Sequence, residues 1–130
     1  MSDYTHVNLH EVEDQAPKFG LSPDLEFRMA RVPLDMENAG VSYIRLAPNF
    51  RIPFGHNHKQ QEEVYVVVGG SGRAKLEDEI VEVRMWDVVR VAPQVLRAFE
   101  AGPEGMELIC IGGKRPKGGD SEQFRDFWVD

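Results

Sequence analysis

The 130-residue sequence contains a single cysteine, Cys110, so no disulfide can close within the chain and nothing points to an oxidising compartment. Basic charge is also scarce. Its 15 Lys and Arg face 22 Asp and Glu, and the net charge of −7 argues against a basic face for phosphate. Nucleic acid and anionic membrane are therefore not expected partners. Long hydrophobic runs are missing too, since the apolar strings reach about five residues against the ~20 that span a bilayer. The opening Met1-Ser2-Asp3-Tyr4-Thr5-His6 has neither the basic nor the apolar block of a secretory signal. The expectation is a cytoplasmic protein that meets small molecules, metals or other proteins.

What is present is ordinary folded-domain material, 42% hydrophobic and 28% charged, at a length suited to one domain. Neither long helical periodicity nor a strand–helix–strand rhythm is found. Short alternating apolar segments dominate: Leu25 to Val32, Val41 to Leu46, Val64 to Val68, Ile80 to Val83, Val88 to Val91 and Met106 to Ile111. Punctuation separates them at Pro33, Asn38 with Gly40, Pro48-Asn49, Gly69-Gly70-Ser71-Gly72, Pro93 and Gly102-Pro103. This is the pattern of an all-β sandwich or barrel.

The barrel is expected over residues 24–112. Residues 1–23 read as an arm that can lie over an edge strand of its own or a second subunit. Residues 113–130 form a tail whose basic, Gly-rich start reads as a solvated connector. The tail is expected to end in a short helix, with Asp120 as N-cap, Gln123 three residues on, and Phe124, Phe127 and Trp128 sharing one face. Those aromatics need burial, against the barrel or a partner subunit.

The chemistry-bearing residues lie between Phe54 and Tyr65. In a strand, His56 and His58 point to one face. After a turn of about four residues, Glu63, Tyr65 and Val67 share a face opposite to Val64, Val66 and Val68. Two imidazoles and a carboxylate on facing strands make a ligand set with open positions, suited to Fe, Mn, Ni, Co or Zn. A His-x-His pair alone is weak, because most such pairs are incidental. The conjunction with Glu63 and with Gly70, seven residues further on, is much rarer.

The run His56-x-His58-x4-Glu63-x6-Gly70 resembles the first motif of the cupin superfamily, and Gln61-Glu62-Glu63-Val64-Tyr65 with Gly70-Ser71-Gly72 resembles its wording in small single-domain bacterial cupins. The resemblance covers roughly residues 40 to 112. It implies a double-stranded β-helix, a jelly-roll barrel of roughly six to eight strands, and a metal held by His56, His58 and Glu63. Glu62 is the competing carboxylate, with poorer spacing to Gly70. The family usually begins this motif with Gly six residues before the first His, where this chain has Phe50.

The second cupin motif departs further. Along Trp86-Asp87-Val88-Val89-Arg90-Val91-Ala92-Pro93-Gln94-Val95-Leu96-Arg97-Ala98-Phe99, Trp86 replaces a Gly, the turn Gly is lost at Gln94-Val95, and Arg97 stands where the family has its fourth ligand, a His. The family's Asn position falls near Ala101. A guanidinium has no lone pair to give and stays protonated, so Arg97 cannot ligate a cation. Three outcomes are open: Arg97 pairs with Glu63 or Glu62 in a metal-free pocket, clamps a substrate carboxylate beside a three-ligand metal, or turns outward. Tyr65 and Phe99 fall on the inward faces of Glu63 and Arg97, as pocket lining or plain core packing. His6 and His10 read as surface residues of the arm, Cys110 as a buried strand residue, and Trp86-Asp87 as a strand-entry turn.

Several functions remain open. One is a metal-dependent enzyme of oxygenase, decarboxylase or isomerase type, acting on a small acidic substrate. Another is a non-catalytic cupin that binds a small ligand at a degenerate or metal-free site. A third is an accessory dimer with a vestigial pocket. A homodimer is the habit of the proteins this chain resembles.

Overall fold

The structure, a computed structural model, describes residues 3–129. Met1, Ser2 and Asp130 lie outside the described residues. Eight strands follow in order: β1 (Leu25–Met29), β2 (Ala39–Leu46), β3 (Gly55–His58), β4 (Glu63–Leu76), β5 (Glu79–Arg84), β6 (Val88–Val91), β7 (Arg97–Gly113) and β8 (Ser121–Phe124). Every pairing is antiparallel. β1 runs against β2, β2 against the second half of β7, and β7 against β4 over nearly its whole length. β5 and β6 both pair with β4, while β3 pairs with β8 and touches the start of β7 at His56↔Arg97. Two long strands shared by several short ones curl the sheet into a barrel, as the alternating pattern implies. Among the described residues, the helical structure is confined to two 3-10 turns in the arm, Leu9–Glu11 and Ala16–Phe19. Among the described residues, no helix is long and apolar enough to cross a membrane.

The interior is filled by alternate residues of these strands. Leu46, Tyr65, Val67, Val91, Phe99, Met106, Leu108 and Cys110 are all buried in one cluster. Tyr65 and Val67 turn inward as alternation from Glu63 requires. The arm lies against β1, where the Asp14 carboxylate accepts from Phe27 N at 2.8 Å and from Ala16 N at 2.9 Å.

Two readings of punctuation are corrected. Gly69-Gly70-Ser71-Gly72 and Gly102-Pro103 do not separate strands but lie inside β4 and β7, which cross each other there through register shifts. The glycines allow backbone to meet backbone: a Cβ on Gly70, whose φ is +66°, would sit 2.0 Å from Gly105 O. Trp86 is a turn residue, 71% exposed, at the β5–β6 connection.

The expected C-terminal helix is also corrected. Residues 121–124 form β8, paired residue for residue with β3 from His58↔Ser121 to Gly55↔Phe124. Asp120 does cap backbone N–H groups, but those of Gln60 and Gln61 rather than of a following helix turn. The edge of β3 supplies hydrogen-bond partners that a four-residue segment otherwise lacks, and that long-range gain outweighs local helix preference. The aromatic tail does find burial on its own barrel. Trp128 Nε1 donates to Ile52 O at 2.8 Å beneath the Arg51 guanidinium, and Phe127 packs on Gly55, where no Cβ intervenes.

Candidate metal centre

Strand β3 presents His56 and His58 on the face that looks toward the start of β4. Their Nε2 atoms lie 3.5 Å and 3.2 Å from Glu63 Oε1. One nitrogen of each imidazole and one oxygen of Glu63 all fall within 4.8 Å of one another. Glu62 points away and pairs with Arg90 at 2.9 Å in solvent, so Glu63 is the carboxylate that joins the histidines. His6 and His10 stay outside the cluster; His10 rests on the Tyr43 ring, with centroids 4.9 Å apart.

These distances can be tested against a divalent ion. Metal bonds of about 2.0–2.2 Å at tetrahedral or octahedral angles place neighbouring ligand atoms about 3.0–3.5 Å apart. Both histidine–carboxylate gaps fall in that span. His58 Nε2 is buried and, among the described residues, has no hydrogen-bond partner, although Glu63 Oε1 is 3.2 Å away. An orphaned imidazole nitrogen facing a carboxylate oxygen is a place for a cation or a proton. The donor types and both histidine–carboxylate gaps fit a divalent transition metal.

The fold has clear counterparts among solved structures. A cupin protein from Bacteroides fragilis is 25% identical, with a TM-score of 0.72 over 88% of this chain and 86% of that one. The chain has the cupin fold. A Streptomyces nucleoside dehydratase, Pac13, solved as a variant with uridine, is 16% identical at a TM-score of 0.76, covering 96% of this chain and 93% of that one. Oxalate decarboxylase from Bacillus subtilis is 18% identical at a TM-score of 0.74 over 97% of this chain, which spans 34% of that protein. No protein-family model and no curated protein matches the sequence.

Arg97 lies inside this barrel. The side chain is fully buried and points inward, with Nη2 3.6 Å from Glu63 Oε1. Nη1 reaches His56 O and Pro93 O at 3.4 Å each, while Nε and Nη2 have no hydrogen-bond partner among the described residues. Those two nitrogens form one edge of the guanidinium, the edge that grips a carboxylate bidentately. The outward outcome is thereby removed, and the other two remain.

Glu63 Oε1 is thus the hub of the barrel's interior. Tyr65 Oη donates to it at 2.6 Å, and Cys110 Sγ lies 3.5 Å from the other oxygen. Burial pushes the Glu63 carboxyl up, but contacts with His56, His58 and Tyr65 outweigh it and hold the group well below the usual carboxylate range. For His58 burial works downward, yet the Glu63 and Asp120 carboxylates leave it raised. Burial and the neighbouring Glu63 push the Cys110 thiol up, so it stays protonated and unreactive. Phe99 stacks against Tyr65 at 4.7 Å between centroids, closing the apolar floor.

One contact was not legible in the sequence. Asp120, with its side chain 4% exposed, holds His58 Nδ1 at 2.9 Å through Oδ1. Burial raises the Asp120 carboxyl, but hydrogen bonds from Gln61, Gln60 N and His58 bring it well below its usual value. In the sequence Asp120 carries only the local pattern of a cap.

Proposed function

We propose that His56, His58 and Glu63 hold a divalent transition metal, Fe, Mn, Ni or Zn, and that Arg97 grips a carboxylate of a small acidic substrate beside it. The observation that carries this reading is the pair of orphaned buried groups facing the same carboxylate. His58 Nε2 and Arg97 Nε and Nη2 have no hydrogen-bond partner among the described residues, and His58 Nε2 and Arg97 Nη2 lie 3.2 Å and 3.6 Å from the same oxygen, Glu63 Oε1. A bound metal supplies Lewis acidity to an oxygen-bearing substrate. The chain's own part is to orient the acid through Arg97, to hold the Glu63 carboxylate in place through the Tyr65 hydroxyl, and to exclude water with Tyr65 and Phe99. Oxygenation, decarboxylation and isomerisation all suit such a site. An enzyme named for oxalate shares the fold, in keeping with an acidic substrate.

A second reading has its own observation. Glu63 Oε1 already has Tyr65 Oη at 2.6 Å and Arg97 Nη2 at 3.6 Å, a set that neutralises the carboxylate without metal. In that reading the protein is a metal-free, non-catalytic binder of a small ligand. Homodimerisation belongs to either reading on the strength of the resemblance alone, and light scattering checks it.

Metal content of protein purified without an affinity tag or chelator separates the two. The first reading expects a substantial fraction of one transition metal, and a melting temperature that rises on adding Fe(II), Mn(II), Ni(II) or Zn(II). Saturation at 100 times Kd stabilises by about 2.7 kcal/mol. Less than about 0.1 equivalent of metal with no thermal shift defeats it. Calorimetric binding of oxalate to the metal-free protein, lost in Arg97→Met, then supports the second reading.

A further inference from the structure

His58 is held from behind by a chain of polar groups that begins far from the site. Arg31, in the turn after β1, donates from Nη1 to Ala39 O at 3.0 Å and from Nη2 to Gly113 O at 3.0 Å and Gln61 Oε1 at 3.2 Å. Its seat is built into the backbone, because a Cβ on Gly40 would lie 2.4 Å from Nη2. An arginine has donors only, so the Gln61 amide must turn its oxygen to Arg31 and its nitrogen to the other side. There Gln61 Nε2 donates to Asp120 Oδ1 at 2.6 Å. The second carboxylate oxygen, Oδ2, accepts from Gln60 N at 2.7 Å and Gln61 N at 3.0 Å, which fixes the carboxylate plane. Oδ1 then lies 2.9 Å from His58 Nδ1.

Polarity runs one way along this chain. An ionised carboxylate only accepts, so a bare Nδ1 at 2.9 Å would set one lone pair against another, at closer range than a bare Nε2 3.2 Å from Glu63 Oε1, an oxygen that already accepts from Tyr65 Oη. Gln61 Nε2 is also 3.4 Å from Nδ1, a longer approach that cannot offset a facing carboxylate oxygen. We propose that Arg31, Gln61 and Asp120 form a relay that keeps the proton of His58 on Nδ1, leaving Nε2 to face Glu63 Oε1, and that Asp120 is the positioning residue of the site. The proposal rests on the reading of His58 as a ligand only for its consequence, stronger metal binding. The relay itself is a property of the metal-free protein.

Asp120 reaches the site from the C-terminal tail, 62 positions from His58, because β8 pairs with β3 from His58↔Ser121 onward. The tail is in turn pinned by Trp128 on Ile52 O and by Lys75 Nζ, which donates to Phe127 O. A carboxylate behind a metal-binding imidazole sets the tautomer and ring orientation and raises the basicity of the ligating nitrogen; losing one typically costs 10–100-fold in metal affinity. Here that carboxylate is delivered by a strand that the barrel motifs do not contain.

The test is the nitrogen-15 NMR signature of the imidazole of His58 in metal-free protein at pH 9, assigned by its loss in His58→Gln. The wild type is expected to show a protonated Nδ1, and a bare Nδ1 overturns the relay without recourse to any variant. In Asp120→Asn, the side-chain oxygen stays with the Gln60 and Gln61 N–H groups and the amide nitrogen turns to His58. The proton should then leave Nδ1, and its retention overturns the proposal. In parallel, Ni(II) titration of Asp120→Asn should show a 10–100-fold loss of affinity. If wild-type protein binds no metal, the proposed function fails while the NMR result still decides the relay.

Discussion

Arg97 Nη2 stands 3.6 Å from Glu63 Oε1, the same oxygen that both histidines face. A fixed positive charge therefore lies beside the position a metal ion would take. At an effective dielectric of about 20, two unit charges roughly 5 Å apart interact by about 3 kcal/mol, and a divalent ion feels about twice that. Arg97→His removes the permanent charge and adds an imidazole at the register partner of His56. Ni(II) or Co(II) affinity should rise at least about tenfold, measured by competition with a chelating dye. An unchanged affinity would show that the guanidinium is neutralised by another group.

The Arg97–Glu63 pair also makes a stability prediction. Removing one partner of a buried pair leaves an uncompensated charge, at a cost of about 3–5 kcal/mol. Glu63→Gln should lower the denaturation free energy of metal-free protein by about that amount, since it strands a guanidinium that has no solvent exposure. Adding Arg97→Met to it should restore much of the loss. A double-mutant cycle by urea unfolding reads the coupling, and additive effects would mean that the two groups do not interact.

Much of this centre is legible in the sequence. Strand alternation places His56 with His58 and Glu63 with Tyr65, because a period of two is a local property of extended chain. Parity and the spacing to Gly70 favour Glu63 over Glu62, and the pairing of Glu62 with Arg90 in solvent decides it. That Arg97 lies inside follows only from the barrel, which sets its Cα opposite His56 through pairing across 41 positions. Asp120 reads as a helix cap because a cap and this contact use the same chemistry, a carboxylate accepting backbone N–H groups. Nothing local distinguishes N–H groups two residues ahead from those of Gln60 and Gln61. The glycines mislead for a related reason: turn formation and close strand crossing both require a missing Cβ.

Gly70 tests that last point. Its φ of +66° disfavours any side chain, and an added Cβ would meet Gly105 O at 2.0 Å. The contact is backbone on both sides, so no flexible group can yield. Gly70→Ala should destabilise the protein by more than about 3 kcal/mol, combining left-handed strain with a forced separation of β4 from β7. Chemical denaturation measures it. A loss below about 1 kcal/mol would mean that the crossing relaxes freely.

Glu100 provides the pH dependence. Its carboxylate joins three segments: Arg73 on β4 donates to Oε1 from Nε at 3.0 Å and Nη2 at 2.5 Å, and Arg51, in the segment leading to β3, donates to Oε2 at 2.7 Å. Burial raises the Glu100 carboxyl, but the two guanidinium groups outweigh it and leave it below its usual 4.5. A folded value lower than the unfolded one stabilises the fold above the unfolded value, and the contribution is lost as pH falls through the folded value. At pH 7, Glu100→Gln should therefore cost about 1–2 kcal/mol, the worth of partly buried charge-assisted contacts, or about 5 °C in Tm. The gap between variant and wild type should stay constant from pH 7 to about 5 and shrink steadily below 4.5. Arg51 also carries the ring of Trp128 at 4.2 Å, so the variant should loosen the tail and shift Trp128 fluorescence at neutral pH. Thermal melts of both proteins across that range decide the matter, and a gap that widened toward acid pH would reverse the sign and refute the assignment of Glu100 as the clamp.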